Sequence, residues 1–273
     1  MAIQGELGSN SHMAAIEMLD DQGVVEIVPC TVSAQVLAKV VGGEVDGAVL
    51  PIENSLHGSV AEHYDLLLAL PVRIQRESLL RIRHNVIGMP GVRLAEVRKV
   101  MSHPVALSQC RRFLAEHPEI EVVPFYDTAG SVKHLMKAGL REVAGIAPGL
   151  AAREYGGEVL VPGVEDHAEN YTRFHLLGRE DATGGEACAG ADKMSLAFAI
   201  EHRPGTLVAA LQRLANAGVN LTKIESRPVP GSPWEYVFYV DVRFDSAEEA
   251  EAALDALREH CRMVKVLGRY RAA

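Results

Sequence analysis

Only one tryptophan and four cysteines occur in 273 residues, and aromatic residues make up 5% of the chain. The cysteines, Cys30, Cys110, Cys188 and Cys261, form no C-x-x-C pair and no zinc-like spacing with histidine. They read as small packing residues in a reducing, cytoplasmic setting. Basic residues are also short: 27 Lys and Arg stand against 36 Asp and Glu, a net charge of −9. No basic stripe appears, so no nucleic-acid partner is expected. No apolar run approaches the roughly 18 residues of a membrane span, and no basic-then-apolar leader precedes the first strand. An anionic ligand would need its positive charge supplied locally.

What is present is ordinary globular material, 48% hydrophobic and long enough for two or three domains. Residues 2–4 read as a strand end, Gly5 and Gly8 as a turn, and Ser9 or Ser11 as the cap of a helix through Met18. The run from Gly8 to Met13 looks like a vector-derived scar but reads as native, because that helix needs it. Strands are expected at 24–28 and 46–52, with helices at 32–41 and 59–70. Residues 72–89 form a long alternating stretch able to carry the chain from one sheet into another. A second set follows, with strands at 97–101, 121–125 and 143–147 and helices at 106–116, 128–139 and 149–155. Such alternation implies an α/β fold with helices covering mixed sheets. Two lobes, about 1–75 with 156–178 and about 76–155, would leave a cleft at the carboxyl ends of strands. Residues 179–192 are small, polar and glycine-rich and read as a linker. The tail, 193–273, orders its elements βαββαβ, the ferredoxin-like split βαβ.

Polar side chains gather at the strand-to-helix junctions. Pro51-Ile52-Glu53-Asn54-Ser55 leaves a buried strand, and Gly58 and Ser59 would place free N–H groups at the next helix start. Ser102-His103-Pro104 repeats the arrangement, with Gln109 about two turns into its helix. Asp127 or Thr128 caps another helix, and residues 5–11 make a fourth junction. In Asn170-Tyr171-Thr172-Arg173-Phe174 an amide, a hydroxyl and a guanidinium alternate along a strand, donors suited to an anionic oxygen. Together these describe one polar cleft for a small anion. The histidines form no metal-ligand cluster, so neither metal nor cofactor is expected. No Ser/His/Asp or Cys/His set supports a covalent nucleophile.

Taken in order, Asn54-Ser55 with Gly58-Ser59-Val60, Ser102-His103-Pro104 with Gln109-Cys110, and Asn170-Tyr171-Thr172-Arg173-Phe174 resemble the signatures of prephenate dehydratase. Pro204-Gly205-Thr206-Leu207 and Ile224-Glu225-Ser226-Arg227-Pro228 make the tail resemble an ACT domain. The resemblance implies a two-lobed catalytic part like a type II periplasmic binding protein, spanning 1–178, and a regulatory tail. It implies conversion of prephenate to phenylpyruvate without a metal, with Thr172 as proton or hydrogen-bond donor to the departing hydroxyl. Asn54, Ser55, Ser102, Gln109 and Thr128 would contact substrate, and Arg173 would face a substrate carboxylate. Gly205, Leu207, Asn220, Glu225 and Ser226 would bind L-phenylalanine between paired protomers of a homodimer or homotetramer. Val105 stands where the family often has glutamine, and Thr206 where it usually has alanine. No chorismate mutase helix precedes residue 1, so a monofunctional chain is expected. Arogenate as substrate, a two-lobed solute-binding protein and a non-catalytic amino-acid sensor are the other readings.

Overall fold

The computed structural model describes residues 1–182, 190–229 and 235–273. Cys188, Pro230, Gly231, Ser232, Pro233, Trp234 and the middle of the expected linker lie outside the described residues. The chain opens with β1 (Ala2–Gln4), α1 (Asn10–Met18), β2 (Val28–Cys30), α2 (Ser33–Val41) and β3 (Gly47–Asn54). A two-residue strand, β4 (Gly58–Ser59), precedes α3 (Ala61–Ala69) and β5 (Val72–Arg81). Then come β6 (Asn85–Gly88), β7 (Lys99–Ser102), α4 (Pro104–Ser108), α5 (Arg111–Glu116) and β8 (Glu121–Pro124). They are followed by α6 (Thr128–Ala138), β9 (Val143–Ala147), α7 (Gly149–Tyr155), β10 (Glu158–Val161) and β11 (Tyr171–Arg179). The tail runs β12 (Lys193–Ala199), α8 (Thr206–Asn216), β13 (Asn220–Pro228), β14 (Tyr236–Arg243), α9 (Ala247–Arg258) and β15 (Met263–Tyr270).

These elements group into two compact units. The first comprises Met1–Lys39, Ala48–Ser59 and Ser78–Phe174. In it β1 pairs parallel with β2 and β3. A second sheet has the order β10-β6-β9-β7-β8, with β7 parallel to β8 and β9 and β6 antiparallel to β9 and β10. Strand alternation loads both faces of that sheet. Val86, Val100 and Ile146 join Leu107 and Phe113 on one side, while neighbouring Ile87 and Ala147 join Ala129, Val132 and Ala151 on the other. Each such large side chain contributes about 1.5–3 kcal/mol by leaving water. Gly145 lets α6 close on β9, since a Cβ there would lie 2.6 Å from Ser131 Oγ.

Several boundaries differ from the sequence expectation. The strand expected at 24–28 forms instead at Val28–Cys30, where Val28 pairs with Ala2. Gly58 and Ser59 do not open a helix: they pair back on Asn54 and Glu53, and α3 starts at Ala61. The helix expected over 106–116 is broken into α4 and α5. The chain stays with the first sheet through Arg81, and β10 belongs to the second, so the return to the first sheet comes after Val161 rather than at residue 156. Tyr171 is exposed, but Thr172 through Gly178 are buried on both faces, without the alternation of a half-exposed strand.

The second unit comprises Val40–Gly47, Val60–Glu77 and His175–Ala273. Its sheet places β12 between β14 and β15, all antiparallel, with β13 beyond β14. The βαββαβ order is the expected one. Leu214 of α8 and Leu254 and Leu257 of α9 pack with Leu196, Phe198 and Val240 of the sheet. Ser246 caps α9 by accepting from Glu249 N at 3.2 Å. On the other face lies α3, with the Tyr64 and Tyr239 rings 5.1 Å apart and Asp65 bound to Arg227 at 2.6 Å. Lys265 donates to the carbonyls of Leu67, Leu68 and Leu70 at 2.8–2.9 Å, closing the carboxyl end of α3. Beside it, buried Lys193 is 2.9 Å from Glu77 and 3.8 Å from Asp241, and Ser195 links Asp241 to Tyr270 at 2.6 Å on each side.

Candidate active site

A cavity of about 500 Å³ opens within the first unit. Ser9, Asn10 and Ser11 line it from the start of α1, and Asp127 and Thr128 from the start of α6. Ser9 accepts from His12 N at 3.4 Å and Asp127 from Gly130 N at 2.7 Å, so both helices are capped. Two helix amino termini, each with free N–H groups and the positive end of its dipole, therefore face one space. His103, Thr31 and Thr172 complete its polar wall, and Phe174 adds an apolar one.

The loop after β1 is gripped by elements of the second sheet. Glu6 accepts from Lys133 Nζ at 2.7 Å and from Tyr126 OH at 2.8 Å. Tyr155 OH donates to Leu7 O at 2.9 Å. Gly8, at φ +81°, packs so closely that a Cβ would lie 2.6 Å from Ala151 Cα, so glycine is needed for both conformation and space. Burial pushes the Glu6 carboxyl up, but the hydrogen bonds from Lys133 and Tyr126 outweigh it and hold the group below its ordinary range. At Asp127 the balance is reversed: burial raises the carboxyl and neighbouring Glu6 adds to the rise, against the bond from Gly130 N and the pull of His103. Burial and the bond to Glu6 push the Tyr126 phenol up to about 12.

Behind Thr172 lies a chain of amides whose orientation is dictated from one end. Asn54 Oδ1 accepts from Leu56 N at 3.0 Å and His57 N at 3.1 Å. Its Nδ2 is thereby turned toward Thr172 Oγ1 at 2.9 Å, Asn170 Oδ1 at 2.7 Å and Tyr171 O at 3.1 Å. Asn170 Nδ2 then donates to Gln109 Oε1 at 3.0 Å, which also takes His84 Nε2 at 2.8 Å. Gln109 Nε2 reaches His57 Nδ1 at 3.0 Å. Gln109 gets there because the helix stops at it. Asp166 accepts from Arg111 N and Arg112 N at 2.9 Å, capping α5 from afar, and donates its own N–H to Gln109 O at 2.7 Å.

Of the residues expected from the family resemblance to meet substrate, Thr172 and Thr128 reach the cavity. Asn54 and Gln109 belong to the amide chain behind it. Ser102 is fully buried, and its hydroxyl donates to Ile146 O at 2.5 Å. Ser55 clamps the strand entry, donating to Glu169 O at 3.2 Å and accepting from Tyr171 N at 3.0 Å. Arg173 does not stand in the cavity wall: its side chain is buried 3.0 Å from Glu53, so a carboxylate of the protein occupies the guanidinium. In the second unit Gly205, the αL residue preceding α8, and Leu207 line a cavity of about 170 Å³. Asn220, Glu225 and Ser226 lie apart from it on β13, with Glu225 3.8 Å from Lys223. The Thr206 hydroxyl is bound to Glu201 O and Arg203 O at 2.8 Å. The Asn170 amide, expected as a donor for an anionic oxygen, here bonds Asn54 and Gln109; the sequence assigns no task to His84 or to His57, which stands inside a quoted motif.

Residues 1–182 match the family model described as Prephenate dehydratase. The chain belongs to the prephenate dehydratase family. Residues 195–261 match the ACT domain model. The similar proteins include Arogenate dehydratase/prephenate dehydratase 2 of Arabidopsis thaliana, 38% identical over 99% of this chain and 72% of the relative. A solved prephenate dehydratase from Arthrobacter aurescens in complex with L-Phe is 31% identical, with a TM-score of 0.88 over 99% of this chain and 90% of that one. A solved structure described as GqqA, a novel type of quorum quenching acylase, is 34% identical, with a TM-score of 0.89 over 100% of this chain and 97% of that one. The family fold is a two-lobed periplasmic-binding-protein-like part, here residues 1–182, followed by an ACT domain, here residues 195–261.

Proposed function

We propose that this protein removes water and carbon dioxide from prephenate to give phenylpyruvate, in the cytoplasm, with Thr172 assisting the departing hydroxyl. The observation that carries this reading is the bond from Asn54 Nδ2 to Thr172 Oγ1. A hydroxyl that accepts there keeps its own hydrogen for another partner, and Thr172 lines the cavity. As the ring carboxylate leaves as carbon dioxide, its bonding electrons form a ring double bond and expel the hydroxyl oxygen. Thr172 donates a hydrogen bond to that oxygen, and a proton from solvent completes the water. Aromatisation drives the reaction, so the protein needs only to orient the substrate and stabilise developing charge.

The amino termini of α1 and α6, with Thr128, are the places for the two carboxylates. They meet the demand for local positive charge that Arg173, engaged with Glu53, does not supply. Asn54, Gln109 and Ser55 act from behind the wall, holding Thr172 and its strand, while Ser102 ties β7 to β9. Mixing the protein with prephenate and following phenylpyruvate absorbance tests the activity. Silence toward both prephenate and arogenate would end the reading.

Arogenate replaces the keto group with an ammonium, and the similar plant protein carries both activities in its name. Competition of the two substrates in one assay ranks them. The ACT domain supports L-phenylalanine as effector, as does the L-Phe complex of the Arthrobacter protein. Gly205 and Leu207 sit apart from Asn220, Glu225 and Ser226 on the end strand β13, which supports a site completed by pairing of chains into a dimer or tetramer. Calorimetric titration with L-phenylalanine and light scattering test these points.

A further inference from the structure

The amide chain behind Thr172 has one solvent-exposed end. Asn170, His84 and Gln109 are 0%, 2% and 6% exposed, whereas His57 lies in the exposed loop between β3 and β4. Every donor and acceptor along the chain follows from Asn54, whose Oδ1 is held by two backbone N–H groups. Asn170 must then offer Oδ1 to Asn54 and Nδ2 to Gln109. Gln109 must turn Oε1 toward Asn170 and His84, which leaves only Nε2 for His57. His57 Nδ1 must therefore be bare. Its other nitrogen agrees: Nε2 faces Ser108 Oγ at 3.2 Å, and Ser108 uses its hydrogen on Val105 O at 2.7 Å, so Ser108 can only accept.

We propose that His57 is a positioning residue whose neutral Nδ1 anchors this chain, and that protonation of His57 disengages Thr172. A proton on Nδ1 sets it against the Gln109 amide hydrogens, donor against donor. Flipping Gln109 relieves that contact, and His84 can follow by exchanging tautomers, since its Nδ1 is buried without a partner. Asn170 cannot follow. Turning its amide would face Asn54 Nδ2, and Asn54 is locked by backbone. Once Gln109 has turned, a buried donor clash remains whichever way Asn170 lies, against Gln109 or against Asn54, which holds Thr172. The charged groups around the chain are Glu165, which accepts from His84 N at 2.9 Å, and Asp166, bound to Arg112. This role rests on Thr172 as the cavity donor.

Two measurements decide it. His57→Ala is expected to lower kcat about tenfold, the worth of one good hydrogen bond, with KM changed less than about twofold. His57→Asn, whose side-chain oxygen can replace Nδ1 but cannot titrate, should recover most of that loss and flatten the fall of kcat on acidification. An acid limb in His57→Asn identical to that of the wild type, or full kcat in His57→Ala, overturns the proposal. Nitrogen-15 spectra of the histidine-labelled, substrate-free protein give an independent readout. His57 and His84 should both be Nε2–H tautomers, and the Gln109 and Asn170 side-chain amide signals should move as the pH is lowered. Amide signals that stay fixed refute the relay even where turnover is normal. If neither substrate is turned over, these spectra still test the relay, so the two failures are distinguishable.

Discussion

Asn54→Asp exchanges a single NH2 group for oxygen, and the structure says what that should do. Backbone N–H groups of Leu56 and His57 still claim one oxygen. The other then faces Thr172 Oγ1, Asn170 Oδ1 and Tyr171 O, all within 3.1 Å and all acceptors. Thr172 can resolve its own conflict by turning its hydrogen toward the new carboxylate, away from the cavity. Tyr171 O has no such escape, and Asn170 escapes only by turning its amide together with that of Gln109; each polar group left unsatisfied costs about 1–3 kcal/mol. Because Asn54 is only half-buried, water reduces that penalty, and a net destabilisation of about 2 kcal/mol is expected. The larger effect falls on rate. Well-placed proton donation contributes about 10²–10⁴-fold, so kcat should fall about a hundredfold while KM changes little. Steady-state phenylpyruvate formation, with urea unfolding on the same samples, separates the two effects. A folded Asn54→Asp protein with kcat within about threefold of wild type would refute the claim that Asn54 aims the Thr172 hydrogen.

Thr172→Ala should reduce kcat by about 10²–10⁴ with little change in KM, and Thr172→Ser should restore much of it; the reverse split between kcat and KM rejects the role. Asp127 has a carboxyl raised by burial, so the unfolded chain loses that proton first as pH rises. Stability from this group is complete below the ordinary aspartate range and lost as pH climbs through the raised value. Asp127→Asn keeps an acceptor for Gly130 N, so its urea midpoint should gain on wild type across that window and run parallel above it. Glu77→Ala removes the 2.9 Å partner of buried Lys193 and leaves it Asp241 at 3.8 Å, and should cost up to about 3 kcal/mol in chemical denaturation.

The elements defined by local chemistry were legible. Residues 128–138, 143–147 and 149–155 form where the pattern places them, with Asp127 and the αL residues Gly139 and Gly156 as punctuation. The break at Gln109 was not, because Ala106, Leu107, Cys110, Phe113 and Leu114 keep helical spacing straight through it. It is imposed by Asp166, more than fifty residues further along the chain, and periodicity carries no trace of such a cap. Gly58 and Ser59 misled for a similar reason: their pairing with Asn54 and Glu53 is a contact of the folded loop. Ser9, His103, Asp127 and Thr172, each from a polar stretch of the sequence, line the cavity, whereas Asn54, Ser102 and Gln109 do not. Which side chains face it and which stand behind it depends on orientation, and Arg173 shows the difference, since Glu53 meets it first.

The grip of Lys133 on Glu6 bears on how an anion enters. An arriving carboxylate meets an ammonium already neutralised at close range, so little long-range pull is available to draw it in. Affinity then rests on short contacts with helix-end amides and hydroxyls, which mobile ions in the buffer hardly weaken. Substrate capture by this protein should therefore vary far less with ionic strength than the charge of its ligand would suggest.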